Sequence, residues 1–256
     1  MSAVPDIIVL PAADALFRAA AGAFAREASS AIEARGSFTV ALSGGSTPKG
    51  VYELLATDPV LRDRVDWAHV QVFWGDERHV PPENAASNYR MAQDALLSKV
   101  PVPPDHIHRV RSENPDPEVA AAEYEETLRA FFHLIPGGVP RFDCALLGLG
   151  ADAHTASLFP GSHALNERTR LVVSTWVQSL STHRITLTPP VFNHAACVIF
   201  LVSGGDKAQA LRAMLEAPDG ARELPAGMIH PESGRLVVMA DAPAARLLGA
   251  SMRSKS

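Results

Sequence analysis

The chain has 256 residues, 47% of them apolar, enough to bury the core of one large α/β domain or two small ones, and one domain over residues 1–256 is the simplest expectation. A formal net charge of −5 leaves no basic surface able to offset many phosphates; this excludes a general nucleic-acid binder but leaves room for local cations around one small anion. The N-terminus carries Asp6 and Asp14 and no basic n-region, so it does not read as a signal peptide, and no apolar run reaches the roughly 20 residues that span a bilayer.

Strands and helices alternate from the start. Residues 7–10 are a short apolar run suited to an outer strand, and 14–34 follow with alanine-rich helical spacing. After Gly36, residues 38–42 read as a buried strand that empties into Ser43-Gly44-Gly45-Ser46-Thr47-Pro48 ahead of a helix over 49–56. Pro48 suits a first helical turn, where its missing N–H costs nothing. A strand, a glycine pair flanked by hydroxyls and a helix start make an anion cradle, because free N–H groups and the helix dipole converge on one spot. The loop lacks the spacing of a nucleotide P-loop.

Residues 70–74 (VQVFW) form the next strand and end in Gly75-Asp76-Glu77-Arg78-His79, four consecutive ionisable residues in a loop at a strand's carboxyl end. A helix over 89–100 follows, then a proline-rich turn with His106 and His108 in an extended piece. No further ligand stands at a metal-binding distance from that pair, so no metal is expected. A helix over 117–132 buries Tyr124, Leu128 and Phe131 at helical spacing.

The stretch 142–161, FDCALLGLGADAHTASLFPG, starts as a buried strand and delivers Asp152, His154, Thr155 and Ser157 before Pro160 and Gly161 interrupt it. Strands over 171–177 and 184–188 come next, with Pro189 and Pro190 opening a helix. Residues 198–202 are wholly apolar and read as a central strand running into Ser203-Gly204-Gly205-Asp206-Lys207 and a helix over 208–216. A strand over 236–239 ending near Asp241 and a helix over 243–248 close the chain. Cys144 and Cys197 both lie inside apolar runs and read as core packing, so a reducing, cytoplasmic setting is expected.

This order implies a mainly parallel sheet covered by helices on both faces, a single-domain α/β fold. The loops after Leu42, Trp74, Leu149 and Val202 then open at one edge, where ligands of open α/β sheets bind. That edge collects the cradle of Gly44, Gly45 and Ser46, the pair Asp76 and Arg78, the imidazole of His154, and Lys207, with Arg184 close by. A cradle, several cations and one histidine suit a small phosphorylated molecule whose reactive centre lies under the imidazole. Two rivals are weaker. Residues 148–153 satisfy the dinucleotide pattern G-x-G-x-x-A, but Pro160 and Gly161 cut short the helix it requires and no carboxylate ends the next strand. A serine hydrolase would need a G-x-S-x-G elbow, and the chain has none.

The stretches LSGGSTP (42–48), WGDERHVPPENAASNY (74–89), LGLGADAHTASLFPG (147–161), RITLT (184–188) and GGDK (204–207) together resemble, in order, the signatures of the 6-phosphogluconolactonase family. The resemblance covers nearly the whole chain. It implies a Rossmann-like fold shared with glucosamine-6-phosphate deaminase, hydrolysis of 6-phospho-D-glucono-1,5-lactone in the pentose phosphate pathway, a sugar-phosphate lactone as the partner, and no cofactor. In that setting His154 is the expected base and acid, Asp76 and Asp152 orient groups around it, and Gly44, Gly45, Ser46, Arg78, Arg184 and Lys207 hold the phosphate. Where the family pattern commonly has glycine between the aspartate and the histidine, this chain has Ala153, which would strain the loop by roughly 1 kcal/mol if the position needs a positive φ. Two other functions stay open. A deaminase or isomerase of the same fold is weakened by the absence of a carboxylate between His154 and Glu167, and a non-catalytic sugar-phosphate sensor is compatible with the same residues.

Overall fold

Apolar five- and six-residue runs separated by amphipathic segments can bury both faces only in a sheet with helices above and below. The computed structural model describes residues 5–216 and 224–253. Its strands are β1 (Asp6–Leu10), β2 (Phe38–Leu42), β3 (Val70–Trp74), β4 (Asp76–Arg78), β5 (Cys144–Gly148), β6 (Val172–Val177), β7 (Thr182–Leu187), β8 (Cys197–Val202) and β9 (Arg235–Asp241). Its helices are α1 (Ala13–Arg35), α2 (Ser46–Thr57), α3 (Pro59–Arg62), α4 (Asn88–Ala95), α5 (Pro117–Phe131), α6 (Pro189–His194), α7 (Ala208–Glu216) and α8 (Ala250–Arg253).

Six strands pair in the order β1-β9-β8-β5-β2-β3, every pairing parallel. Alternate side chains enter two cores. Val72, Trp74, Ile199 and Leu201 pack toward α1, α2 and α4, while Phe73, Val198, Phe200 and Val202 pack toward α5, α6 and α7. Burial on both faces is why these strands read as unbroken apolar runs. The two cores share one sheet, so the fold is a single α/β unit with a mainly parallel sheet, as expected. Cys144 and Cys197 are buried within it as free thiols.

From β2 the chain proceeds outward to β3, whereas from β5 it proceeds the other way to β8 and β9. The order therefore reverses between neighbouring β2 and β5. Loops leaving the carboxyl ends of two such strands part in opposite directions and open a crevice between them. Those are the glycine cradle and the His154 loop.

Several expectations are corrected. Strands 171–177 and 184–188 do form, as β6 and β7, but they lie in a separate antiparallel sheet of order β4-β7-β6. Its third member, β4, is the charged stretch expected to be loop. Gly75 makes the junction: its N–H donates to the Leu42 carbonyl at 2.8 Å, and its own carbonyl accepts from Leu187 at 2.9 Å, so the chain leaves one sheet and enters the other. The helix expected over 49–56 begins at Ser46. The one expected over 89–100 ends at Ala95 and gives way to a 3-10 turn, Leu97–Lys99, because Leu96 has φ −133° and ψ −62°. The segment 243–248 contains a 3-10 turn, Ala244–Leu247, followed by α8. Among the described residues no helix is long and apolar enough to cross a membrane.

Candidate active site

The cradle is fixed from beneath by a tyrosine. Tyr52 of α2 is fully buried, and its hydroxyl accepts from the Ser43 N–H at 3.0 Å and donates to the Ser43 carbonyl at 2.9 Å. Burial pushes the phenol far above its usual pKa, so it stays a neutral donor and acceptor. At Gly44, a Cβ would stand 1.8 Å from Asn88 Oδ1, so only glycine lets Asn88 approach. The next residue, Gly45, is the N-cap of α2 and offers no side-chain cap, and no acidic residue occupies the helix's first turn. Its leading N–H groups therefore point unused into the crevice, a ready anion site.

One strand over, Tyr124 of α5 grips Trp74 in the same manner, with the Trp74 N–H donating to its hydroxyl at 2.8 Å and that hydroxyl donating to the Trp74 carbonyl at 3.0 Å. Beyond Gly75, β4 pairs with β7 in the register Asp76↔Thr186, Glu77↔Ile185, Arg78↔Arg184. Asp76 is 6% exposed, and its carboxylate is held by the Ser157 hydroxyl at 2.6 Å and the Asn88 amide at 3.1 Å. Glu77 faces inward and accepts from the N–H groups of Arg78, Asn88 and Tyr89, each at 2.7 Å, which anchors the start of α4. Burial pushes its carboxyl up against the pull of those three bonds.

The cross-strand pair Arg78 and Arg184 sets two cations opposite one another. Like charges in that position destabilise an empty sheet. Burial, and after it the opposed Arg78, push the Arg184 guanidinium below its usual range, and the Nε of each arginine is buried without a partner among the described residues. An anion between the two would relieve that repulsion and meet both unpartnered Nε groups. Lys207 adds a third cation, ion-paired to Asp206 at 2.9 Å on a turn that Asp241 ties down through Ser203 and Gly204.

The His154 loop is closed by its own hydrogen bonds. Gly150 N–H donates to the His154 carbonyl at 2.8 Å, Ala153 N–H to the Gly150 carbonyl at 3.0 Å, and Thr155 Oγ1 to the Gly148 carbonyl at 2.8 Å. Thr155 and Leu158 exchange bonds across a short bridge. Ala153 adopts φ +64° and Ala156 φ +49°, so the position where alanine was expected to cause strain does need the left-handed region. Asp152 Oδ1 lies 2.5 Å from His154 Nδ1. Partial desolvation works the other way, but the hydrogen bonds from His154 hold the Asp152 carboxyl below its usual range, so it accepts and Nδ1 carries the proton. Nε2 is the ring nitrogen left for the crevice. The dinucleotide pattern at 148–153 is followed by this turn and the 3-10 segment His163–Asn166, not by a helix.

Gly44, Gly45, Ser46 and Asp76 line one cavity of about 260 Å³. Arg78, His154, Arg184 and Lys207 line the same cavity. Asp152 does not; it stands behind the imidazole. Tyr52, Tyr124, Asn88, Ser157 and Thr186, whose hydroxyl accepts from the Ser157 N–H at 3.4 Å, all support this site, and the sequence reading gave none of them a site role, although it named Ser157 and placed Tyr124 in the core. Ser157 alone carried a signal, as the only hydroxyl besides Thr155 between His154 and Pro160.

A model of the family of glucosamine-6-phosphate isomerases and 6-phosphogluconolactonases matches residues 11–238. The chain is 42% identical over 236 residues to a 6-phosphogluconolactonase of Nostoc, covering 92% of this chain and 95% of that relative. It is 40% identical over 229 residues to the chloroplastic 6-phosphogluconolactonase 3 of Arabidopsis thaliana, covering 84% of this chain and 66% of that one. The solved 6-phosphogluconolactonase of Trypanosoma brucei aligns with a TM-score of 0.84 at 30% identity, over 97% of this chain and 100% of that one. A monomeric glucosamine-6-phosphate deaminase shares the fold at a TM-score of 0.77 and 20% identity, over 94% of this chain and 99% of that one.

Proposed function

Because the chain belongs to the family of glucosamine-6-phosphate isomerases and 6-phosphogluconolactonases, we propose that it hydrolyses 6-phospho-D-glucono-1,5-lactone to 6-phospho-D-gluconate, with His154 as base and acid. The observation that carries this reading is one cavity lined at once by His154, by three cations and by an uncapped helix start. The substrate has matching parts: a phosphate of nearly two negative charges at C6 and an electrophilic carbonyl at C1.

In the proposed mechanism the phosphate settles on the α2 N-terminus through Gly44, Gly45 and Ser46, with Arg78, Arg184 and Lys207 as charged clamps. Anchoring the far end places C1 under the imidazole and supplies the entropic part of the rate enhancement. His154 Nε2 takes a proton from a water as its oxygen bonds to C1 and the carbonyl π pair moves onto the exocyclic oxygen, which re-forms the carbonyl in the next step. The resulting imidazolium is stabilised by Asp152 across Nδ1. The same proton then passes to the ring oxygen as the C1–O5 bond breaks, and the acid product ionises. Asp76 faces the cavity with its carboxylate held by Ser157 and Asn88, which suits it to receive a sugar hydroxyl or the water. These steps need no metal or organic cofactor. Cys144 and Cys197, free thiols one residue before the paired Ala145 and Val198, fit a cytoplasmic site of action.

Purified protein given the lactone should release acid above the spontaneous rate, and given glucosamine 6-phosphate should release no ammonia. Ammonia release would overturn the assignment in favour of a deaminase, and neither product would leave a sensor.

A further inference from the structure

The His154 ring is confined on three sides. Gly150 lies so close that a Cβ there would stand 2.0 Å from Nδ1 and 2.2 Å from Cε1. Asp152 holds Nδ1 at 2.5 Å. The third side is Phe159, whose ring stacks on the imidazole with centroids 4.4 Å apart and planes inclined by 27°. The bridge between Thr155 and Leu158 folds the chain back on itself, and the Ser162 N–H donates to the Phe159 carbonyl at 3.0 Å, which brings residue 159 over residue 154.

A hydrogen bond at Nδ1 alone is a pivot. The second side-chain torsion of histidine has a broad potential, so rotation about Cβ–Cγ bends that one bond at modest cost and moves Nδ1 and Nε2 together, carrying Nε2 away from the attacking water. A face-on neighbour removes that freedom, and displacement of a reacting atom by 1 Å is costly in rate. We infer that Phe159 is a positioning residue for the hydrolysis, its ring holding the imidazole in the plane where Nδ1 meets Asp152 and Nε2 meets the water. The inference rests on the reading of His154 as the base. Phe159 also lines the cavity. The rival role is therefore an apolar platform for the sugar, which would act on binding.

The test is a double-mutant cycle in steady-state kinetics with the lactone, using Phe159→Leu, His154→Ala and the pair, with thermal melts confirming folding. Phe159→Leu should lower kcat about tenfold and leave KM within about twofold, while Phe159→Tyr, which keeps the stack, should retain the parent rate. On the His154→Ala background Phe159→Leu should cost nothing further. In proton NMR the His154 Cε1–H should show an upfield ring-current shift in the parent and in Phe159→Tyr that is lost in Phe159→Leu. An equal loss on both backgrounds, a rise in KM at unchanged kcat, or no change at all overturns the inference. If His154→Ala itself keeps kcat, the base assignment falls, whereas a crippled His154→Ala beside a neutral Phe159→Leu sinks this inference alone. Should Phe159→Leu fail to fold, Phe159→Met serves the same comparison.

Discussion

The cavity is flanked by two loops built on opposite principles. The cradle after β2 uses glycine where the backbone is unusual, with Gly45 at φ 105° and ψ 168°, and leaves the start of α2 without a side-chain cap. The His154 loop after β5 uses alanine at two left-handed positions, Ala153 and Ala156, and spends the N–H groups of Gly150, Ala153, Thr155 and Leu158 on itself. A loop that binds through its main chain has to expose main chain, and glycine allows it. A loop that works through one side chain has to be rigid, and internal bonding offsets the strain of alanine.

The proposed mechanism places chemistry on one loop and holding on the other, and the largest effect should test that. His154→Ala should reduce kcat by a factor on the order of 10²–10⁴. Calorimetry should meanwhile find 6-phosphogluconate binding nearly unchanged, and an unaltered kcat would end the assignment. On the holding side, Arg184→Met removes one charge-assisted clamp, so KM should rise roughly 10- to 100-fold with a smaller effect on kcat. The same variant relieves the opposed arginines and should melt at a higher temperature than the unliganded parent; a lower melting point would show that the pair is not repulsive. The smallest effects concern the backbone itself. Ala153→Gly should raise stability by less than about 1 kcal/mol, or about 2–4 °C at this chain length, because glycine removes the strain but adds unfolded-state entropy. Gly45→Ala should destabilise, since its conformation is one that only glycine adopts readily. Equal responses at the two positions would erase the distinction between the loops.

Much of this was readable from residues alone. The parallel sheet follows from apolar runs alternating with helical spacing, and the two loops stand out because glycine pairs, hydroxyls and a histidine interrupt such runs. The antiparallel sheet was hidden for a definite reason. Its strand β4 is Asp-Glu-Arg, which carries no apolar signal, and the pattern of RITLT says strand without saying which partner. Tyr52 and Tyr124 were hidden because they sit at core positions of helices, where a phenol looks like any large hydrophobe until its hydroxyl is seen to end at Ser43 or Trp74. The φ of Ala153 is not written in its side chain at all. It follows from the turn that Gly150 and His154 close around it.

The two tyrosines also bear on how the molecule comes apart. Tyr52 belongs to the core on one face of the sheet and Tyr124 to the core on the other, yet they clasp adjacent strand ends where Leu42 pairs with Trp74. The floor of the cavity is thereby riveted to both halves of the interior. The Ser43 amide proton is released only when the Tyr52 face opens and the Trp74 amide proton only when the Tyr124 face opens, so the two amides report separately on the two halves of the interior, and equally slow hydrogen exchange at both is the expected sign that the base of this site opens only with the whole fold.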